Sequence, residues 1–136
     1  MSATGYSGKP LFKKLGINRE MKIILLNKPV DYYGLLETDI TNQLCKKNET
    51  PDFIHLFVTT EKEFEYEMKK LNPVYKKNTS IILWVSWIKK SAKIPTDVTE
   101  DTIRNYALQN DLVDVKVCTV SDLWSGLKLV VPLNKR

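Results

Sequence analysis

Short apolar runs alternate with amphipathic stretches along this chain, and the alternation predicts its elements. Residues 21–26 (MKIILL) form a continuous apolar run, as a strand buried on both faces would. Residues 53–58 (FIHLFV) and 80–87 (SIILWVSW) repeat that character, the second most strongly. Residues 113–120 (VDVKVCTV) alternate by twos, and 127–133 follow as a further strand, so the six residues 121–126 between them suggest a hairpin.

Helical signals fall between these runs. In residues 5–16 (GYSGKPLFKKLG) a turn leads into a short helix with Leu11, Phe12 and Leu15 on one side; Pro10 suits its first turn and Gly16 its end. Residues 31–37 read as a short helix or helical turn. Thr60 and Glu63 match a capping box, and the Phe64, Met68 and Leu71 spacing makes the following segment a helix, with Pro73 and Asn78 marking its exit. Thr99 caps a second helix, Glu100 and Asp101 favour its positive end, and Val98 staples against Ile103. Residues 39–46 are ambiguous: Ile40 and Leu44 suit either period, and Thr41, Gln43 and Cys45 tip the reading to a short, weak strand. Residues 48–52 and 89–95 are loops.

Strands alternating with helices imply a mostly parallel sheet covered on both faces, because right-handed crossovers put the helices there. The expectation is a single α/β domain over residues 1–136. It would be three-layered and Rossmann-like, with five to six strands, a C-terminal antiparallel hairpin, and residues 1–20 as an arm and short helix packed on the sheet. This arrangement resembles the class I methyltransferase sheet, shortened by about one strand–helix unit.

Several blocks resemble a family. GYSGKPLFKKLGI, LLNKP, DFIHLFVT, ILWVSWIKK, PTDVTEDTIRNYA and LVDVKVCTVSDLWSGLKLVV are similar to the bacterial domain-of-unknown-function family 3052, over nearly the whole chain and least from 32 to 49. That resemblance implies the architecture and a bacterial cytoplasmic setting. It brings no activity, substrate or catalytic residue.

Composition adds bounds rather than chemistry. No apolar run approaches the ~20 residues a membrane span needs, and the first residues lack the apolar core of a signal peptide. Cys45 and Cys118 fit no paired spacing for metal or redox work and read as reduced, packed thiols. The net charge of +5 comes largely from lysine doublets at 13–14, 46–47, 69–70, 76–77 and 89–90. Such doublets form a solvated surface or, if gathered in space, a nucleic-acid face; arginine, the usual residue for bidentate contacts, appears only as Arg19, Arg104 and Arg136.

Ligands in open α/β sheets bind beyond the carboxyl ends of the strands. The residues expected there are Asn27 and Lys28, Thr59 and Thr60, and Trp87, Lys89 and Lys90. Lysines and capping threonines beside a tryptophan suit an anionic or aromatic small molecule. The alternative is a capping Thr60, a packed Trp87 and solvated lysines. S-adenosylmethionine is a poor fit: Asn27-Lys28-Pro29 offers no glycine, proline removes an amide donor, and Lys46 and Lys47 stand where the ribose needs an acid. No cofactor, metal or catalytic group is expected.

His55, the single histidine, is either a satisfied sheet histidine or a lone acid–base group. Ser7, between Gly5 and Gly8, follows no strand and makes no nucleophile elbow. Trp84 and Trp87 face opposite sides of their strand. Trp124 in the hairpin loop either folds over the sheet edge or forms an interaction surface for a protein partner or a second copy. Three functions follow from different classes: a non-enzymatic binding or interaction module, a small-molecule or nucleotide-binding enzyme with a nonstandard first loop, and a nucleic-acid-associated protein.

Overall fold

A computed structural model describes residues 9–136; the turn expected at residues 5–8, with Ser7, lies outside them. Five strands form one mixed sheet in the order β1-β2-β3-β5-β4. The strands are β1 (Ile23–Leu26), β2 (Phe53–Phe57), β3 (Ile82–Ile88), β4 (Val113–Thr119) and β5 (Trp124–Val130). β1 with β2 and β2 with β3 are parallel, whereas β5 runs antiparallel to both β3 and β4. The ladders therefore divide evenly, because the last strand inserts between β3 and β4 rather than lying at the edge.

Helices α1 (Leu11–Leu15) and α2 (Tyr32–Leu36) cover one face, and α3 (Glu61–Lys77) and α4 (Glu100–Gln109) the other. The strand period of two sorts the core accordingly. Phe53, Phe57 and Trp84 point to α1 and α2; Ile54, Leu56, Leu83, Val85 and Trp87 point to α3 and α4. Both tryptophans of β3 are buried, on opposite sides as their spacing requires.

Local chemistry explains the helix ends. The Thr60 side chain accepts from the Glu63 amide at 3.1 Å, and the Glu63 carboxylate accepts from the Thr59 amide at 2.9 Å. Thr99 and Thr102 close a reciprocal box on α4. Gly16 ends α1 at φ 80, where a side chain would be strained.

Four expectations need correction. β1 has only Ile23 fully buried, because it is an edge strand with little outside it. Residues 39–46 form no strand. The Asp39 carboxylate takes the Thr41 amide at 2.9 Å and its hydroxyl at 2.7 Å, turning the chain into a 3-10 segment, Thr41–Gln43. What remains is a single parallel bridge of Leu44 to Ile23, with the Cys45 amide donating to the Ile23 carbonyl at 2.8 Å.

Pro73 lies inside α3 rather than at its exit. Its missing amide falls on the solvent side, while Leu71 and Tyr75 stay buried and the Tyr75 hydroxyl donates to the Asn110 carbonyl at 2.8 Å. The hairpin turn is also shorter than expected. Val120 donates to the Trp124 carbonyl at 2.9 Å, and the Ser121 hydroxyl accepts from the Leu123 and Trp124 amides. β5 therefore starts at Trp124, and Ser125 and Gly126 are strand residues.

Gly126 is there for space. A Cβ on it would stand 3.2 Å from the Trp84 ring and from a Val120 methyl, and 3.3 Å from the Ser86 hydroxyl. Gly126→Val should lower the unfolding free energy by about 1–3 kcal/mol, as overpacking does. Urea denaturation measures this; an unchanged midpoint would mean that β5 packs differently against β3.

Candidate functional site

The carboxyl ends of β1, β2 and β3 present the loops expected to hold a ligand, and the loops are not equivalent. After β1 the chain passes to α2 on one face, and after β2 to α3 on the other, so a topological switch falls between these strands. Asn27 stands there at φ 59, the left-handed conformation a glycine usually supplies. Its amide nitrogen lies 3.5 Å from Glu67 of α3. Glu67 holds the single buried side-chain oxygen without a hydrogen-bond partner among the described residues, though Lys70 approaches it at 3.4 Å. Lys28 turns aside: its ammonium sits 5.5 Å from the Tyr33 ring centre and lines a separate groove of about 250 Å³ beside β1.

Thr59 and Thr60 are consumed by local structure. Thr60 caps α3, and the first α3 amide, on Glu61, donates to Asp97 at 2.6 Å. The Thr59 carbonyl accepts from the Thr96 hydroxyl at 2.7 Å. These bonds fasten the segment before α4 to the end of β2 and occupy amides that an anion would need.

Trp87 and Lys90 do come together. They line a cleft of about 460 Å³ at the end of β3, with Ile88, Thr96, Val98 and Thr99, and Glu100 and Asp101 stand at its mouth. Trp87, 8% exposed, forms the floor. Lys89 lies beside the cleft and fixes its loop, its amide donating to the Leu123 carbonyl of the hairpin at 2.9 Å. Both mouth carboxylates pair with Arg104, which bonds Asp101 at 2.8 Å and Asp114 at 3.0 Å and also contacts Glu100. Those bonds, first to Glu100 and then to Asp114, raise the guanidinium pKa further above its ordinary value. With Glu100 and Asp101 so paired, Lys90 is the cleft cation with no ion-pair partner among the described residues. Thr96 and Val98 were not foreseen as lining residues; only their place just before a capped helix marks them.

Trp124, expected in a loop and either folded over the sheet edge or forming an interaction surface, opens β5 half-buried, its ring 4.9 Å from Phe57 and edge-on to it. Among the described residues no group of three or more His, Cys, Asp and Glu side chains converges as a metal site requires.

His55 belongs to a buried relay that sequence spacing does not reveal. Tyr32 Oη lies 2.8 Å from its Nδ1, and Ser86 Oγ 2.8 Å from its Nε2. All three residues are 0% exposed, and the imidazole stacks on Phe57 at 4.2 Å. Burial pushes the His55 pKa down to about 3 and the Tyr32 pKa well up, so both stay neutral. The order serine–histidine–tyrosine has the partners of a nucleophilic relay, but with no exposed atom it works as a satisfied core network.

Comparison with solved structures gives the fold a wider context. A protein in the NADB-Rossmann superfamily from Streptococcus agalactiae superposes with a TM-score of 0.54 at 11% identity, over 90% of this chain and 68% of that one. An uncharacterized protein from Listeria monocytogenes serotype 4b superposes with a TM-score of 0.58 at 10% identity, over 92% and 68%. The chain has a Rossmann-type fold. No family model matches it, and no curated protein matches it. Among the described residues no helix is long and apolar enough to cross a membrane.

The relay predicts an acid response. Between the ordinary imidazole value of 6.5 and about 3, the unfolded chain binds a proton at His55 that the folded chain refuses. Stability should therefore fall as pH drops through that window, by a few kcal/mol in all. Urea midpoints measured from pH 6.5 down to pH 5.5, a full unit above the ordinary glutamate value of 4.5, read the histidine, since no other is present. His55→Gln should flatten this slope; a persisting slope would remove His55 as its source.

Proposed function

We propose that the protein is a non-enzymatic binding module on a shortened, methyltransferase-like version of the Rossmann scaffold, receiving a small molecule in the Trp87 cleft. The cleft itself carries this reading. It lies beyond the carboxyl end of a parallel strand, where α/β proteins take ligands, and its volume of about 460 Å³ is in the range of small-molecule sites. An indole floor with Val98 and Ile88 suits a flat apolar body, and Lys90 suits an anionic group on it. Thr59 and Lys89 fasten the loops around the cleft through Thr96 and Leu123, and Thr60 caps α3; Asn27 and Lys28 belong to the β1 loop.

The methyltransferase-like reading draws support from the terminal hairpin and its antiparallel strand. Likeness to the domain-of-unknown-function family 3052 rests on the sequence blocks alone and carries with it the bacterial, cytoplasmic setting. S-adenosylmethionine is not the ligand we expect. Asn27 supplies the left-handed turn, but Pro29 removes an amide, and the outer strand that would carry a ribose-binding acid has shrunk to the bridge at Leu44. The absence of catalysis in this reading is supported by the sealing of the Tyr32–His55–Ser86 relay, the most enzyme-like arrangement of side chains in the molecule.

The test is a melting and tryptophan-fluorescence screen with S-adenosylmethionine, S-adenosylhomocysteine, nucleoside mono- and triphosphates and aromatic carboxylic acids. An anionic aromatic compound should raise the melting temperature and change tryptophan emission, and Lys90→Ala should weaken its binding about tenfold. Stabilisation by S-adenosylmethionine, or a response indifferent to Lys90, would contradict the reading.

A further inference from the structure

Two lysines stand directly opposite each other on the α1 face of the terminal hairpin. Lys116 of β4 is the register partner of Lys128 of β5, and Lys128 is in turn the partner of Trp84 of β3. Directly opposed positions of an antiparallel pair bring Cβ atoms to about 5 Å, and like charges there are destabilising. Neither lysine has a carboxylate within ion-pair distance among the described residues. Lys14 of α1 brings a third ammonium alongside: its Nζ lies 3.3 Å from the Thr119 carbonyl, while the Lys116 Nζ lies 3.4 Å from the Lys14 carbonyl. Lys116 thereby gains a helix-end acceptor, which explains its position but not that of Lys128.

The opposite face mixes its charges, α3 carrying five lysines beside four glutamates. Glu61, Glu65 and Asp101 line the groove between α3 and α4, on the opposite face from this lysine row. We propose that Lys116 and Lys128, with Lys14 beside them, bind the phosphate backbone of double-stranded nucleic acid without reading its sequence. Ammonium groups act on phosphates as point charges, whereas planar, bidentate recognition of carboxylates or base edges calls for arginine. Arg104 is held by three acidic side chains and Arg136 by the Val131 carbonyl. The exposed Val117 pairs with Leu127, whose side chain belongs to the core under α3 and α4, and so lies off the lysine face. The surface is separate from the Trp87 cleft and does not depend on it.

The test is fluorescence polarisation of two labelled duplexes of unrelated sequence with the whole protein. Binding at 50 mM salt should weaken roughly tenfold to 40-fold by 200 mM, as two or three phosphate contacts require, and equally for both sequences. Lys116→Glu/Lys128→Glu should weaken binding at least tenfold, while the charge-matched Lys62→Glu/Lys69→Glu on α3 should change it less than threefold. Lys128→Glu alone should also weaken binding yet melt no lower than the unaltered protein, since it turns a repulsive pair into an attractive one. Absence of binding at 50 mM salt, equal losses in both double variants, or preference for phosphatidylserine vesicles over duplex would overturn the proposal.

Discussion

Burial of the Trp84 indole against Gly126 is the constraint on which the rest of the structure depends. The indole nitrogen donates to the Leu15 carbonyl at 2.9 Å and so holds α1 on the sheet, while the ring occupies the space a side chain at 126 would take. Glycine at that height lets β5 lie close beside β3 without displacing the ring. Next in register on the same face, Ser86 reaches His55, and His55 reaches Tyr32, so α2 is tied to β2 and β3. Each polar atom in that chain has a partner, and the core tolerates it for that reason.

The placement of β5 also shapes the candidate site. With Trp124 beside Ile88, the hairpin turn lies against the exit of β3, where Leu123 accepts from the Lys89 amide. The loop after β3 is thus held from one side by the hairpin and from the other by Thr96 on Thr59. Between these two fastenings the cleft opens over Trp87. The same insertion sets Lys128 beside Trp84 on the α1 face, so the two proposed surfaces lie on opposite sides of the sheet.

Much of the fold was legible in the sequence where one residue's chemistry decides the outcome. Thr60 and Thr99 mark helix starts because a hydroxyl two or three residues before an amide has few other uses, and Gly16 marks an end through its positive φ. The illegible parts depend on contacts between distant residues. Ser125 and Gly126 look like turn residues and are strand residues because the turn tightens around the Ser121 hydroxyl, with Gly126 leaving room for Trp84. Asp39 turns the chain by bonding Thr41, which no hydrophobic period records. Of the expected ligand-facing residues, Trp87 and Lys90 meet in the cleft, while Thr59 and Thr60 are spent on caps and ties that only the folded chain makes visible. The opposition of Lys116 to Lys128 follows from the register counted back from the tight turn, Thr119 to Ser125 and Cys118 to Gly126, which a loop placed over residues 121–126 does not give.

If the protein takes a small molecule as proposed, that molecule enters over Trp87 at the end of β3 and nowhere deeper. Backbone amide chemical-shift mapping with an anionic aromatic compound tests this most directly. The account predicts shifts concentrated at Trp87–Lys90 and Thr96–Asp101, with His55 and Ser86 unmoved. Shifts centred on Asn27 and Glu67 at the β1–β2 switch, or on the His55 relay, would contradict it.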